Sequence, residues 1–412
     1  MNQQYKILID ADRLWNSLME MAKIGATEKG GICRLTMTDL DQESRELLLK
    51  WSSEIGCTSV LDEVGNLFIR KQGRDGSRAP VITGSHLDSQ PTGGRFDGVY
   101  GVLAGLEVFR TLHDNGVVTA APLELVVWNN EEGSRFSPPM MGSGAFTGIF
   151  DLDWVYAIQD EAGITVKQEL ERLGWIGKPT GDYPVDAYFE AHIEQGPVLE
   201  NEGKTIGVVN GGQGQRWFEL NVFGQEAHAG PTPMPLRKDA LVCASEMIQL
   251  VNRLGHDNAP DACATCGMIK VIPGSRNVIP GHVFITIDTR HPDDEVLIEM
   301  EQSMRSGFQE IVDRYKCRYE LENFWISPAT PFDRECIDMV AEGADLYGYS
   351  HREMISGAGH DAVYMARKYP VAMIFVPCEN GISHNEIENA EPTDIAAGCQ
   401  VLLHAMVKRA GL

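Results

Sequence analysis

The first stretch of the chain whose residue types could do chemistry is Gly84-Ser85-His86-Leu87-Asp88-Ser89. After a Pro/Gly turn it continues into Gly94-Arg95-Phe96-Asp97-Gly98. An imidazole, a carboxylate two residues on and a further Asp able to bridge two ions make a metal half-site, because imidazole and carboxylate suit Zn, Mn, Ni or Co. A His followed by Asp in a loop is equally well explained as a hydrogen-bonded pair. The weight therefore rests on recurrence. Asn129-Asn130-Glu131-Glu132-Gly133 places two carboxylates together, which alone reads as a solvated acidic turn. Glu190-Ala191-His192-Ile193-Glu194-Gln195 and Ile382-Ser383-His384-Asn385-Glu386 each supply another imidazole.

Of the set His86, Asp97, Glu131, Glu132, His192 and His384, five can hold two divalent ions and one can act as base. Residue type does not separate Glu131 from Glu132. Two ions bridged by Asp97 would share a water, lower its pKa and polarise a carbonyl oxygen. A free carboxylate could then move that water's proton to a leaving nitrogen.

Each of these segments follows an apolar run that reads as a strand: Pro80 to Thr83, Leu123 to Trp128, Asp186 to Ala191 and Val371 to Val376. Strand ends in α/β proteins commonly carry ligands. A helix is expected from Gly98 to Phe109, which puts Asp97 near its N-terminus. Further helices are expected over residues 8–23, within Leu35–Ile55 with Thr38 and Asp39 as caps, from Arg334 to Gly348, and from Thr393 to Arg409. Thr58–Leu61 and Asn66–Arg70 read as two more strands.

Between Gly211 and about Pro328 the texture changes to a βαββαβ-like unit. Its strands are read at 217–224, 267–272 and 282–290, and its helices at 239–254 and 294–312. This unit is expected as an insertion, so that a first domain part at 1–212 and a last part at 330–412 form one domain around an inserted domain at 213–329. The Gly211-Gly212-Gln213-Gly214 cluster reads as the hinge.

Composition sets the bounds. A chain of 412 residues with 43% hydrophobic content can bury two cores. The formal net charge of −24 argues against nucleic acid or an anionic membrane surface, both of which need a positive footprint. No stretch approaches the roughly 20 apolar residues of a membrane span. The segment Met1–Lys23 mixes charges with amphipathic helical spacing, unlike a signal peptide, and the nine cysteines are scattered and odd in number. These features point to a reducing, cytoplasmic setting.

A GxSxG elbow, HExxH and a Walker A loop are absent. Cys263-Ala264-Thr265-Cys266 has CxxC spacing without a second pair or neighbouring His, and reads as structural. Cys243, Cys336 and Cys399 read as core residues. Two rival classes follow from what remains: a non-catalytic binding protein, and a cysteine hydrolase using Cys378 or Cys33.

The segments around His86, Asp97, Glu131 and His192, with His228-Ala229-Gly230-Pro231-Thr232-Pro233-Met234, Asn277-Val278-Ile279-Pro280-Gly281 and Ile382-Ser383-His384-Asn385, resemble the M20 metallopeptidase/amidohydrolase superfamily. Within it they are similar to the hydantoinase/carbamoylase group: N-carbamoyl-L-amino acid hydrolases, β-ureidopropionases and allantoate amidohydrolases. The match covers nearly the whole chain. Ser89 stands where the family frequently has Thr, and no proposed metal position deviates. The resemblance implies an α/β fold with a mixed-sheet dinuclear-metal catalytic domain and an inserted α+β lid that also dimerises. It further implies that His86, Asp97 and His192 hold one ion, that Asp97, Glu132 and His384 hold the other, and that Glu131 is the general acid/base. Asp88 would orient His86 from behind. By the same resemblance His228 would stabilise the oxyanion, Arg290 would pair with the substrate carboxylate, Asn277 would close over substrate, and Gln195, Arg216 and Gly359 would be weaker contacts.

The expected activity is hydrolysis of an N-carbamoyl amino acid, L-α or β, to the amino acid, ammonia and carbon dioxide, by a homodimer with two divalent ions (Zn, Mn, Co or Ni) per subunit. The segment Ser137–Ser143 and the Asn129-Asn130 pair favour a carbamoylase over allantoate hydrolysis, the alternative, or another M20 amidase or dipeptidase.

Overall fold

A computed structural model describes residues 7–412; of the Met1–Lys23 segment, residues 1–6 lie outside the described residues. The chain divides into two compact units, Met1–Gly211 with Pro331–Leu412, and Gly212–Thr330.

The first unit is built on a mixed sheet, nine-stranded among the described residues. At its centre four strands run parallel, in the order Leu123–Trp128, Val81–His86, Ala187–Ile193 and Val371–Val376. All four are buried along their whole length, which explains why they read as unbroken apolar runs: helices cover both faces of a parallel sheet. Thr58–Leu61 and Leu67–Lys71 extend one side antiparallel, and Ile206–Gly212 extends the other.

The register brings the functional segments level. His86 lies opposite Trp128 and Phe375 opposite His192, so the segments that follow leave the sheet at one edge. Leaving Val81–His86, the chain runs through helix Val99–Asp114 into Leu123–Trp128 on one side, and later places Ala187–Ile193 on the other. His86 therefore ends the strand where the winding reverses, the position at which α/β sheets open a crevice for ligands.

Helices Ala11–Met21, Val99–Asp114, Arg334–Tyr347 and Pro392–Ala410 share one apolar core with the sheet, through residues such as Leu18, Val102, Val340 and Leu402. The first begins at residue 11, three later than expected, because the Asp10 side chain accepts the N–H of Arg13 and caps it there. Thr38 caps Asp39–Ser53. Gly98 precedes Val99–Asp114 at φ +66°, and a Cβ there would overlap the His86 imidazole, so only glycine lets the Asp97 turn close against that strand.

The second unit has, among the described residues, a four-stranded antiparallel sheet in the order Arg318–Ser327, Gly214–Phe223, His282–His291, Cys263–Ile272. Helices Ala240–Asp257 and Asp294–Tyr315 complete a βαββαβ succession and pack on one face through Phe218, Leu220, Met247, Ile285 and Phe308. The strands begin earlier than read: Gly214 replaces 217, and Cys263 replaces 267. Gly211 and Gly212 end one strand and Gly214 starts the next, so the glycine cluster is extended chain interrupted at Gln213.

Candidate metal centre

Asp97 stands at the middle of the site. Its Oδ1 lies 3.1 Å from His192 Nε2 and 3.6 Å from His86 Nε2, while its Oδ2 lies 3.4 Å from His384 Nε2. Glu132 Oε2 is 3.3 Å from His384 Nε2. Two groups of donors share Asp97, His86 with Asp97 and His192, and Asp97 with Glu132 and His384, and the ligand atoms in each lie within 4.8 Å of one another; a third group, Glu190 with His192 and His360, meets the same limit. The Asp97 carboxylate thus turns an oxygen to each of the first two groups.

The donor set fits divalent ions. Tetrahedral coordination with metal–ligand bonds of 2.0–2.1 Å separates neighbouring ligand atoms by about 3.3 Å, close to the spacings found. Ring orientation agrees. His86 Nδ1 lies 2.9 Å from the Asp88 carbonyl, and His192 Nδ1 lies 2.9 Å from the Ile193 carbonyl. A carbonyl only accepts, so each Nδ1 carries a proton, and in the neutral ring each Nε2 then turns a lone pair to the cluster. The Gly98 N–H, 3.2 Å from His192 Nε2, also finds it an acceptor.

Electrostatics point the same way. Asp88, Asp97, Glu131, Glu190 and Asp361 are all buried near one another. Burial, followed by His86 in opposition and by Asp361, Glu132 and Asp88 in support, leaves the Glu131 carboxyl well above the usual range. Burial and Asp97 push Glu132 up to about 8. Burial works against charge on His86, yet the Glu131 carboxylate and its neighbours hold the imidazole well above its ordinary value. Carboxyl groups buried this closely resist ionising together, a cost that cations among them would offset.

The geometry distinguishes the two acidic neighbours left open by residue type. Glu132 belongs to the His384 group, whereas Glu131 Oε2 sits 3.4 Å from His86 Nε2 and belongs to neither group of three. Asp88 meets His86 through its main chain, since its carboxylate is 3.7 Å from His86 Nδ1. That carboxylate instead accepts the N–H groups of Glu131 (3.3 Å) and Glu132 (3.2 Å). Gln195 donates its amide to Asp97 Oδ2 at 2.8 Å, and Gly359 is half-buried next to the buried His360.

Four more predicted residues lie in the Gly212–Thr330 unit. His228 and Asn277 are neighbours across the two-stranded pairing Ala227–His228 with Val278–Ile279, where Ala229 N–H donates to the Asn277 carbonyl at 2.9 Å. Arg216 and Arg290 part company. Arg290 pairs with Gln215 and Thr289 with Arg216, so the two guanidinium stems leave opposite faces of the sheet. Arg216 is on the helix-covered face, 2.7 Å from Glu301, and Arg290 is on the other, 2.7 Å from Asp288.

Several supports were not singled out in the sequence. Gln90 holds Glu132 through its N–H at 3.2 Å and its amide at 2.8 Å. Arg34, fully buried, donates to the Leu87 carbonyl at 2.7 Å and braces the strand end. Arg45 and Thr36 both reach Asn129 at 3.0 Å, fixing the start of the acidic turn. A buried Arg far from the motif in sequence carries no periodic signal; its demand for partners becomes visible only in three dimensions. Cys263 and Cys266 lie on one strand without His or acid completing a metal group among the described residues. Burial pushes the Cys378 thiol up to about 12, which leaves no nucleophilic thiolate near neutral pH.

A mixed α/β sheet that converges two imidazole–carboxylate groups at its strand ends is the framework of a metal-dependent hydrolase. The chain belongs to peptidase family M20/M25/M40, whose model matches residues 82–408. Among its relatives is an N-carbamoyl-L-amino-acid amidohydrolase of Rhizobium meliloti, 43% identical over 403 residues, 98% of this chain and 97% of that one. An allantoate amidohydrolase of Bacillus subtilis is 34% identical over 394 residues, 95% of each. The crystal structure of an amidase of the hydantoinase/carbamoylase family from Burkholderia vietnamiensis superposes with a TM-score of 0.94 at 55% identity, covering 99% of both chains. No described helix is long and apolar enough to cross a membrane.

Proposed function

We propose that this chain hydrolyses the carbamoyl C–N bond of an N-carbamoyl-L-amino acid with two divalent ions. The observation that carries the reading is Asp97, whose two carboxylate oxygens face separate donor groups while Glu131 stays outside both. The relative from Rhizobium meliloti supports the choice of bond. His86, Asp97 and His192 would hold one ion, and Asp97, Glu132 and His384 the other. When bound, such ions supply Lewis acidity toward the carbonyl oxygen and acidify water.

The chain's own residues do the rest. Glu131 accepts the proton of the attacking water and returns it to the leaving nitrogen, freeing the amino acid; the carbamate left behind falls to ammonia and carbon dioxide. The Glu131 carboxylate, 3.4 Å from His86 Nε2 and outside both donor groups, is left free for that transfer. Arg290 binds the substrate carboxylate, His228 stabilises the oxyanion and Asn277 closes over substrate, which makes the Gly212–Thr330 unit a lid; dimerisation through that unit and a cytoplasmic setting belong to the same proposal. Gln195 and Gly359 line the substrate.

Allantoate hydrolysis is the second reading, favoured by the relative from Bacillus subtilis. Ammonia release from several N-carbamoyl-L-amino acids, N-carbamoyl-β-alanine and allantoate, before and after chelation and return of Mn, Co, Ni or Zn, separates the two. Activity restored by metal on the carbamoyl-L-amino acids is the expected result; activity on allantoate alone would replace the reading.

A further inference from the structure

Glu388, four residues beyond His384 and outside the set that would hold the ions, is buried between the Asp97 turn and the His384 loop. Its Oε1 accepts the N–H groups of Phe96 at 2.9 Å and Asp97 at 3.1 Å, and its Oε2 lies 2.8 Å from the Ser383 hydroxyl. Ser383 Oγ is in turn 3.1 Å from Asp97 Oδ2, and the Gln195 amide reaches both atoms, at 3.1 and 2.8 Å. Gly94 makes the approach possible, since a Cβ there would occupy the Glu388 carboxyl group's place. The Glu388 N–H closes the turn by donating to the Asn385 carbonyl at 3.0 Å.

The two halves of the centre are held unequally. His86 and His192 sit on buried central strands, so the sheet register fixes them. His384 sits on a loop, 52% exposed and at φ +54°, a conformation that costs a non-glycine residue energy and needs support. Beside it, Glu386 is half-buried and its partner at 3.3 Å is the exposed Lys29, a solvated cation that fixes little. Glu388 and Ser383 tie that loop to the Asp97 turn from inside.

We propose that Glu388 is a positioning residue that sets the spacing of Asp97 and His384, and so the occupancy of the ion site they share with Glu132. It acts through the Asp97 main chain and the Ser383 hydroxyl and touches neither ion nor substrate. The assignment rests on the two-ion reading above. Gln at this position keeps an oxygen for both N–H groups and offers an amide donor to Ser383, so shape is retained when charge is removed.

The test is calorimetric titration of the metal-stripped full chain with Mn2+, supported by metal content after dialysis. Wild type is expected to take two ions. Glu388→Ala should weaken one site by roughly 10–100-fold and leave the other within about threefold, and Glu388→Gln should restore most of the loss. Ser383→Ala, which leaves the carboxylate in place, should weaken the same site by about tenfold and serves if Glu388→Ala does not fold. Both sites unchanged in the Ala variants, or both weakened together, overturns the positioning role. A wild type that takes one ion overturns the two-ion reading itself, and this assignment with it.

Discussion

His86 and Asp88 are joined through the main chain: the imidazole Nδ1 lies 2.9 Å from the Asp88 carbonyl oxygen, and the Asp88 carboxylate turns to the N–H groups of Glu131 and Glu132. Asp88 therefore sets the tautomer of a ligand with one group and the placement of the acidic turn with another. In Asp88→Asn the carbonyl is unchanged, but one carboxylate oxygen becomes an NH2 facing a main-chain donor. The expected result is a 10–100-fold loss of kcat/KM, with His86-side metal affinity close to wild type. A loss of metal at that site as large as the loss of activity would show that the side chain, and not the carbonyl, orients His86.

Glu131 stands 3.4 Å from His86 Nε2 and outside both donor groups. Glu131→Gln keeps its size and removes its ability to accept a proton. Turnover should fall by at least about 10²–10⁴-fold while two ions remain bound. Near-native turnover in the variant would reassign the base.

Arg216 and Arg290 lie on neighbouring strands but on opposite faces, and each has a carboxylate partner, Glu301 and Asp288 respectively. Arg290→Ala should raise KM by about 10–100-fold, the loss of a charge-assisted carboxylate contact of roughly 1.5–3 kcal/mol, with kcat less affected. Arg216→Ala should lower the melting temperature by a few degrees and leave KM within about threefold. Steady-state kinetics of the two variants on one substrate decide it; a larger KM effect at Arg216 would exchange their roles.

Asp62 tests the scaffold by pH. Burial pushes its carboxyl up to about 7, against three donors: the N–H of Val64 at 3.0 Å, and the N–H and amide of Asn66 at 2.8 and 2.7 Å. A carboxyl raised above its unfolded value binds its proton more tightly in the folded chain. Its contribution is full below about pH 4 and is lost as pH rises through about 7. Asp62→Asn, which cannot ionise, should flatten this part of the profile: urea unfolding should find the wild type losing stability relative to the variant from pH 4.5 to about 7.5. A difference that stays constant with pH would place the Asp62 carboxyl in its ordinary range.

The central strands were legible because parallel strands covered on both faces leave continuous apolar runs such as Leu123–Trp128 and Val371–Val376. The candidate donor residues were legible because the segments that carry them come after such runs. Ile206–Gly212 and His351–Ser356 were not read as strands. The first is rich in glycine, and the second alternates exposed and half-buried residues at a sheet margin, so neither has the pattern of a covered strand. Short helices such as Met141–Thr147 and Asp361–Met365 carry too few turns for periodicity to emerge. Glu131 and Glu132 could not be told apart by type, since adjacent residues differ only in where the backbone turns them; Asn130 at φ +56° sets that turn. The Asp88 carbonyl was hidden for a related reason, because a side chain advertises its chemistry in a sequence and a main-chain atom does not.

The strand Val371–Val376 fills a place between Ala187–Ile193 and Ile206–Gly212, in the interior of the sheet, although it begins only 371 residues into a chain of 412. During synthesis, Ala187–Ile193 and Ile206–Gly212 border an open slot until it arrives, their edge groups on that side unpaired. The last imidazole of the two donor groups, His384, emerges later still. The donors His86, Asp97 and His192 are therefore all synthesised before the second candidate group is complete.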